Sequence, residues 1–507
     1  MPARAPFDLI VRGGRVVDPE TGFDAVADVG VAGGRIAAIG ALAGASAGAS
    51  EIDAAGRIVC PGFVDLHAHG QTIAADRMQA FDGVTTTLEL EVGALPVAEW
   101  YDAQAAGGRT LHYGAAVSWI SARKAVMAGL TPDPALHPME MMGQGAADEG
   151  GWSSRAATPD EVERIVALVR EGLAAGGVGV GIPHGYAPGA GVKEMSRLCD
   201  VAAGAGVPTF THIPWMSNVD PQSSEESYLR IIGYAAATGA HMHICHLNST
   251  SLQDIARCRE LLLEAQAMGL AITVEAYPYG TGSTVLSAAF FAAPDFSART
   301  GTDYRSIGLI RTGRQLADRA ELMAAREEEP GALIAWQFLD VADNAAHRDL
   351  LDLSVLFPGG AIASDAMPFV APDGAIYRDA AWPLPEDLSA HPRSAGTFTR
   401  FLSHYCFERR AVDLREALAK CTIIPAAILE GGLPQMRRKA RLQVGCDADV
   451  VVFDPETLAD RATFADMTAP SRGVEALLVG GIPVIADGRL DPAARPGRAM
   501  RREGAAG

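Results

Sequence analysis

The sequence has few of the features that mark membrane proteins or disulfide-bonded secreted proteins. Its 507 residues include only seven cysteines, which are scattered, odd in number and never arranged as a C-x-x-C zinc knuckle. This usage favours free thiols in a reducing compartment over a disulfide framework. No apolar run approaches the length of a membrane span, and the first residues lack the apolar core of a signal peptide. We therefore expect a cytoplasmic protein.

Positive charge is also scarce. There are 42 lysines and arginines against 61 aspartates and glutamates, which gives a net charge of −19. Such a charge opposes binding to nucleic acids and to anionic membranes, so we expect the partner to be a small-molecule substrate. The length and the 49% hydrophobic content suffice for one large domain and one smaller domain. The sequence leaves open whether the chain forms a homo-oligomer.

The two ends of the chain share one pattern. Residues 7–60 read as short strands separated by glycine turns, and this pattern returns only in the runs between residues 449 and 485. Short strands with one apolar face are not stable alone, so residues 1–60 and 440–490 are predicted to form one small β domain. Residues 491–507 are predicted to be a frayed tail.

Between these ends, strand-like runs alternate with helical patterns. Eight strands with intervening helices predict a (β/α)₈ barrel over residues 61–439. The connection at residues 285–358 is long, and we expect it to form a lid. The eight runs are Phe63–His69, Val84–Glu91, His112–Ser118, Val178–Pro183, Pro208–His212, Met242–His246, Ala271–Tyr277 and Ala361–Asp365.

The most informative motif is His67-Ala68-His69, at the end of the apolar run Ile58–Leu66. In a strand, side chains two residues apart point to the same side. The two imidazoles should therefore project together from the end of a buried strand. Two neutral imidazoles on one rigid element form half of a zinc-type site.

Residues that can bind metals recur at the ends of other runs. His212 ends the fifth run, His246 ends the sixth and Asp365 ends the eighth. Active sites of such barrels lie at the carboxyl ends of the strands. One such histidine alone is more often structural, but the whole set indicates a centre for one or two divalent ions. Zinc is the ion that this donor set favours, although other divalent metals remain open.

A centre with two metals also needs a bridging anion. The second run contains two carboxylates, Glu89 and Glu91, in otherwise apolar surroundings. Burying an unpaired carboxylate is costly, so at least one of them should meet a cation. Glu91, nearer the strand end, is the preferred bridge and Glu89 is the alternative. Lys193 would serve only as a carbamylated bridge, and it follows a loop rather than a strand end.

The remaining histidines carry a weaker signal. By strand alternation, His241 and His243 fall on the face opposite to His246, so we interpret them as packing or surface residues. No comparable position is occupied by His112, His137, His347 or His404.

Several longer segments carry a family resemblance. The general motif is Pro61–His69, and the more specific stretches are His391–Phe398 and Asp460–Phe464. With these segments the chain resembles the amidohydrolase superfamily and, within it, the N-acyl-D-amino-acid deacylase (D-aminoacylase) family, nearly from end to end. Further matching segments are Gly83–Thr86, Tyr186–Ala190, Thr211–Ile213, Tyr277–Tyr279, Gly282–Thr284 and Ser364–Asp365.

The resemblance implies a distorted TIM barrel with a β-sandwich-like domain built from both termini. It also implies a zinc-dependent hydrolase that cleaves the amide bond of an N-acyl-D-amino acid, a carbon–nitrogen bond other than a peptide bond. By the same resemblance, one metal site would comprise His67, His69 and Asp365. His212 and His246 would belong to the other.

Three positions depart from the family pattern. No cysteine lies between Cys60 and Cys199, so Glu91 would have to replace the usual cysteine ligand. Asn248 stands where a lysine is typical, and Pro214 stands where an arginine is typical. Two cations that could receive a substrate carboxylate are therefore missing. This leaves the identity of the substrate more open than the type of reaction.

The expected mechanism uses a metal-activated water, with Asp365 as the acid and base that takes up the proton and returns it to the leaving amine. Arg393 is the candidate for binding a substrate α-carboxylate, because guanidinium binds carboxylate in bidentate fashion. A structural ion pair is the alternative role for Arg393. Further polar residues expected near the substrate are Tyr186, His184, Asn248, Ser283 and Thr284.

Two other functions remain open at this point. One is a hydrolase of the same superfamily that acts on a cyclic amide, a dipeptide or a xenobiotic amide. The other is a catalytically silent paralogue that serves as a scaffold. Such a paralogue would be expected to lose metal ligands, whereas here the histidines and the aspartate are retained.

Overall fold

The computed structural model describes residues 7–44, 50–145 and 148–503. Its first part consists of strands that belong to a sheet shared by both ends of the chain. Glycine turns separate several of these strands, as the sequence predicts. They are β1 (Leu9–Asp18), β2 (Phe23–Ala32), β3 (Arg35–Gly40), β4 (Ser50–Asp53) and β5 (Ile58–Pro61).

The barrel follows directly. Its strands form one parallel eight-stranded sheet, and the eight predicted runs account for all of them. The first seven are β6 (Phe63–Asp65), β7 (Val84–Ala94), β8 (His112–Ser118), β9 (Val180–Pro183), β10 (Thr209–His212), β11 (Met242–Ile244) and β12 (Ile272–Ala276).

An antiparallel three-stranded sheet interrupts the barrel after β12. It consists of β13 (Thr281–Val285), β14 (Ile307–Leu309) and β15 (Leu333–Gln337), in the order β13-β15-β14. The insertion therefore begins earlier than the predicted residue 285. It also ends well before residue 358, because the helix at residues 345–355 packs on the barrel rather than on this sheet.

The eighth barrel strand, β16 (Ala361–Ile362), is short and pairs with β12. Side chains and one isolated bridge, rather than a continuous ladder, hold it to the first strand. Ala68 bridges to Ala366, and the backbone N–H of Ser364 donates to the Asp65 carboxylate at 3.0 Å. The barrel is thus nearly closed, which confirms the predicted distorted barrel.

The C-terminal strands complete the first sheet. They are β17 (Val450–Phe453), β18 (Val474–Val479), β19 (Ile482–Ala486) and β20 (Arg489–Leu490). β17 pairs antiparallel with β5, so the predicted association of the two chain ends is correct. Alternate residues of β17 face opposite sides. Val452 packs in the core of this sheet, and Val451 packs in the larger core shared with the barrel.

Helices cover the outside of the barrel, and none of those in the described residues is long and apolar enough to cross a membrane. A π-helical segment at Phe401–Glu408 continues the thirteenth helix. The α-helices are α1 (Ile73–Phe81), α2 (Val97–Gly107), α3 (Trp119–Ala128), α4 (Pro138–Gly143), α5 (Pro159–Ala174), α6 (Val192–Ala205), α7 (Ser224–Thr238), α8 (Leu247–Ser251), α9 (Ile255–Ala267), α10 (Phe296–Thr300), α11 (Arg319–Glu328), α12 (Ala345–Val355), α13 (Arg393–Arg400), α14 (Leu414–Cys421) and α15 (Ile423–Leu429).

The C-terminal segment packs against the barrel as far as residue 503, so the prediction of a frayed tail is wrong for residues 491–503. Met500 is only 2% exposed, and its carbonyl accepts a hydrogen bond of 2.7 Å from the Tyr101 hydroxyl. The backbone N–H of Met500 donates to the Tyr113 carbonyl. Burial of an apolar side chain and hydrogen bonds of the backbone fix this segment against the barrel. The polar composition of the segment gives no sign of this packing. Residues 504–507 lie outside the described residues.

We predict that Met500→Ala lowers the free energy of unfolding by about 2–4 kcal/mol, because it removes a buried side chain and leaves a cavity. Thermal unfolding of the two proteins side by side would measure this effect as a lower Tm. Met268→Ala is the matched control, because Met268 is 70% exposed. Equal Tm values for both variants would contradict the packed position of the C-terminal segment.

Candidate metal centre

The turn after the first barrel strand, β6, is fixed by hydrogen bonds to Asp65. Strand β6 ends at Asp65, whose carboxylate accepts hydrogen bonds from the backbone N–H groups of His67 and Ser364. The Ser364 hydroxyl also contacts the Asp65 carboxylate. Burial raises the pKa of Asp65 to about 6, against the opposing effect of these donors. This turn places both His67 and His69 inside the carboxyl end of the barrel.

One set of donor atoms converges on a single point. His67 Nε2 lies 3.0 Å from His69 Nε2, and both lie close to Glu91 Oε2, at 3.2 and 3.3 Å. Asp365 Oδ1 is 3.5 Å from each of the two nitrogens. Zinc bound tetrahedrally at about 2.0–2.2 Å requires ligand atoms about 3.3–3.6 Å apart. The three donors of His67, His69 and Asp365 therefore have nearly the spacing that one bound metal ion requires, and Glu91 Oε2 lies beside the two imidazole nitrogens.

A second pair of donors approaches Glu91 from the other side. His212 Nδ1 lies 3.0 Å from Glu91 Oε1, and His246 Nε2 lies 3.2 Å from the same oxygen. Each oxygen of one carboxylate thus faces a different pair of imidazoles. Burial acts to raise the pKa of Glu91, but His67 and the other imidazoles lower it well below the ordinary value. An ionised Glu91 in this position is suited to bridge two metal ions.

Glu89 occupies a different position from the one that the alternative bridge would require. Its carboxylate lies behind His69 and contacts His69 Nδ1 at 3.0 Å. Glu275 does the same for His67, with its Oε1 2.5 Å from His67 Nδ1. A carboxylate on Nδ1 fixes the imidazole tautomer and leaves the Nε2 lone pair for a metal. Lys193 is exposed on α6, outside this group.

Sequence reasoning missed Glu275 and placed His243 wrongly. His243 is fully buried, and its Nε2 lies 3.0 Å from Glu275 Oε2, so it supports the carboxylate behind His67. Strand alternation fails here because β11 ends at Ile244 and His246 adopts a φ of +36°. Glu275 carried a usable signal, because it is a carboxylate within a buried strand, as Glu91 is. His241, just before β11, is half-buried, and its Nε2 contacts the Thr273 hydroxyl.

The charges of the site fit a bound cation. Four carboxylates, those of Glu89, Glu91, Glu275 and Asp365, are buried within a few ångströms of the imidazoles. Arg393 pairs with one of them. Buried carboxylates without enough positive charge are strongly unfavourable, and one or two divalent ions would supply that charge. Nitrogen and oxygen donors in this number suit zinc.

Asp365 is held on its other side by Arg393. The arginine Nη2 lies 2.9 Å from Asp365 Oδ2, and its Nε donates to the Asp365 carbonyl at 2.6 Å. The guanidinium stacks on Tyr277, with its carbon 4.6 Å from the ring centre. Arg393 therefore positions Asp365, the structural role left open by the sequence. Its Nη1 is buried and has no hydrogen-bond partner in the described part of the chain, so the two N–H groups of this nitrogen remain available.

The remaining predicted residues divide into two groups. Tyr186, Ser283 and Thr284 line the cavity beside the histidines, and the Tyr186 hydroxyl contacts Thr284 Oγ1 at 2.7 Å. His184 and Asn248 do not line this cavity. His184 Nε2 contacts the Ala190 carbonyl, and burial lowers the pKa of His184 to about 4. The Asn248 amide donates to the Tyr277 carbonyl at 3.0 Å. Both side chains contact backbone carbonyls and stand outside the cavity wall.

Apolar side chains from separate connections form much of the rest of the cavity wall. Sequence reasoning missed them, because nothing in their local sequence shows that they meet. They are Val92, Met139, Met142, Met216, Phe290, Trp336 and Met367.

Comparison with known proteins shows which family the chain belongs to. The model of the amidohydrolase family matches residues 50–327 and 247–485 of the chain. The chain belongs to the amidohydrolase family. It is 28% identical over 525 residues to the N-acyl-D-glutamate deacylase of Alcaligenes xylosoxydans xylosoxydans, covering 98% of this chain and 97% of that one. It is also 28% identical over 514 residues to the D-aminoacylase of the same organism, with 94% of each chain covered.

A solved relative shows the same overall structure. This amidohydrolase superimposes with a TM-score of 0.76 on the crystal structure of N-acyl-D-glutamate deacylase from Bordetella bronchiseptica. The two are 25% identical, and the match covers 98% of this chain and 99% of the other. That relative was crystallised with zinc and a phosphonate inhibitor that mimics the tetrahedral intermediate of its reaction.

We predict that Glu91→Gln removes at least one metal equivalent per chain, because a neutral amide cannot bridge two cations. Metal analysis after dialysis against metal-free buffer would measure the loss. Glu275→Gln should retain the full metal content but weaken binding roughly 10- to 100-fold, since Glu275 acts through His67. The exposed Glu163→Gln is the control. A Glu91→Gln protein with the same metal content as the control would contradict the bridge.

Proposed function

We propose that this protein is a zinc-dependent deacylase that cleaves the amide bond of N-acyl-D-amino acids. The observation that carries the proposal is the Glu91 carboxylate, whose two oxygens face two separate pairs of histidines. The activities of the deacylase relatives support the substrate class and its D-configuration. All seven cysteines are free and buried, which supports a reducing, cytoplasmic location.

Zinc bound by the four histidines, Glu91 and Asp365 would polarise the amide carbonyl and acidify an attacking water. The chain's own contribution is the proton transfer. Arg393 and His67 lower the pKa of Asp365 far below its ordinary value, against the effect of burial, so this carboxylate begins as a base. Asp365 Oδ1 faces the histidines and can accept the proton of the water, while Oδ2 stays with Arg393. The same carboxylate then returns the proton to the leaving amine.

The insertion is proposed to act as the lid that encloses the substrate. Ser283 and Thr284 of β13, Phe290 in the following turn and Trp336 of β15 all line the cavity over the histidines. These side chains exclude water from the reacting amide. Exclusion of water strengthens the electrostatic interactions on which catalysis depends.

The cavity lining favours a neutral, apolar substrate side chain. None of the described residues that line it is a lysine or an arginine, and its charged groups are the carboxylates of Glu91 and Asp365. An acidic side chain would lose its hydration and meet no counter-charge there. The α-carboxylate has one candidate partner, the unpaired Nη1 of Arg393, which lies next to the wall at Gly282.

We predict that the N-acetyl derivatives of D-leucine, D-methionine and D-phenylalanine are hydrolysed preferentially. Their kcat/KM should be at least 100-fold higher than that of N-acetyl-D-glutamate or N-acetyl-D-aspartate. The reason is the cost of burying an unpaired charge, about 3 kcal/mol or more. Amine release from the purified, zinc-loaded enzyme gives the measurement, with the N-acetyl-L-amino acids as stereochemical controls. Turnover of cyclic amides or dipeptides without turnover of any N-acetyl-D-amino acid would overturn the proposed function.

We predict that Arg393→Lys lowers kcat/KM for all amide substrates, because one ammonium cannot hold both the carbonyl and the carboxylate of Asp365. The loss should be about tenfold greater for N-acetyl-D-leucine than for its C-terminal amide, which lacks the carboxylate. Arg400→Lys is the matched control, since Arg400 also stacks on a tyrosine but contacts Asp460 instead. Equal losses of kcat/KM on both substrates would contradict the carboxylate-binding role of Arg393. They would support only its role in positioning Asp365.

A further inference from the structure

A second cavity lies at the opposite end of the barrel. It has a volume of about 610 Å³ and is bounded by turns of the composite sheet, by the segment after α15 and by the C-terminal segment. His112, the first residue of β8, lies in its wall, whereas the metal centre lies beyond the carboxyl ends of the strands. A strand of this length spans about 20 Å, so the two sites are separate.

The charge of this cavity is opposite in sign to that of the whole chain. The chain carries a net charge of −19, yet six cationic side chains and only two carboxylates line the cavity. The cationic residues are Arg35, Arg438, Lys439, Arg498, Arg501 and Arg502, and the acidic residues are Asp447 and Glu503.

Part of this charge is already balanced within the floor of the cavity. Lys439 is 5% exposed, and its Nζ lies 2.7 Å from Asp449 Oδ2 and 3.1 Å from Asp447 Oδ2. Arg438 Nε lies 3.4 Å from Asp447 Oδ1. Two cations therefore match two carboxylates in this part of the cavity.

The other four arginines have no carboxylate partner among the described residues. Arg501 Nε donates to the Ala175 carbonyl at 3.0 Å, and its guanidinium stacks on the Tyr101 ring. Arg502 Nη2 donates to the Ala205 carbonyl at 3.2 Å. Carbonyl groups orient a guanidinium without neutralising it. Arg501 and Arg502 are therefore held in place with their charge still available.

The remaining two arginines stand at the rim. Arg35 contacts only the Gly445 carbonyl, at 3.4 Å, and the exposed Arg498 side chain has no hydrogen-bond partner within the described ranges. Glu503 is the one lining carboxylate left to oppose the four arginines. The cavity thus keeps a surplus of positive charge that is open to solvent on one side.

Two hairpin turns contribute glycines, which have no side chains, to this rim. Gly33 and Gly34 both have positive φ, as do Gly480 and Gly481, which is the backbone of tight turns that favour glycine. A Cβ built on Gly33 would meet nothing within 4 Å, whereas one on Gly34 or Gly481 would lie under 3.0 Å from the other turn, so the two turns pack closely together. Without side chains at the turns, an approaching ligand can reach the arginines.

We propose that this cavity binds a small organic anion that carries two phosphate groups, at the end of the barrel opposite to the metal centre. Guanidinium groups bind phosphate oxygens in pairs, and four unmatched arginines suit two such groups. The volume lies within the range of small-molecule sites, about 300–1,000 Å³. The acidic remainder of the chain repels a long polyanion such as a nucleic acid.

The probe for the test is fructose 1,6-bisphosphate, titrated calorimetrically into the full-length, zinc-loaded enzyme at about 20 mM salt, where surface charges are weakly screened. We expect one molecule bound per chain, no binding of unphosphorylated fructose, and weaker binding as salt rises. The double variant Arg35→Gln/Arg498→Gln should weaken binding at least tenfold. Its Tm and its deacylase activity without the probe should be unchanged, because both side chains are exposed and far from the metal centre.

Arg164→Gln is the matched control, since Arg164 is an exposed arginine on the outer face of α5. Absence of binding by the unmodified enzyme at millimolar probe would overturn the proposal. So would an equal loss in Arg164→Gln, which would show non-specific attraction to surface charge. Loss of zinc during the titration, with the same heat from the double variant, would show chelation at the metal centre instead and would also overturn it.

Discussion

The Glu91 carboxylate is the group on which the site depends. Its two oxygens face His67 and His69 on one side, and His212 and His246 on the other. These histidines come from strands far apart in sequence, and an anion between the two pairs would offset the repulsion between two bound cations. A buried carboxylate among imidazoles stays ionised and draws the two pairs together. The barrel supplies the rigid frame in which this attraction produces one geometry.

A second layer of polar groups fixes the first. Glu89 and Glu275 hold the far nitrogens of His69 and His67, and His243 in turn supports Glu275. Arg393 likewise holds Asp365 through an ion pair. Three potential ligands, His67, His69 and Asp365, are thus oriented by partners that need not touch the metal. The far nitrogens of His212 and His246 have no hydrogen-bond partner among the described residues. The potential ligands lie on the barrel strands or just after them, while much of the apolar wall comes from loops and from the insertion.

The sequence predicts the barrel well because each strand is a short apolar run that ends in a turn or a polar residue. It also predicts the group His67, His69, Glu91, His212, His246 and Asp365, since all of them mark strand ends in a parallel sheet. It fails at His243, because counting alternate residues assumes a strand that the left-handed backbone at His246 has already ended. No motif reveals that His184 and Asn248 contact backbone carbonyls outside the cavity wall. The packed segment around Met500 escapes notice because one buried methionine decides it.

The position of β17 between β5 and β18 has a consequence for the order of assembly on the ribosome. Strand β5 leads directly into the segment that bears His67, yet one of its two neighbours in the sheet is made only when residues 450–453 emerge. Asp365 likewise forms its ion pair with Arg393, which is synthesised later. A nascent chain therefore cannot finish its metal centre in step with translation. The contacts that support the centre are complete only after Arg393 and then β17 have left the exit tunnel, as a late event of folding.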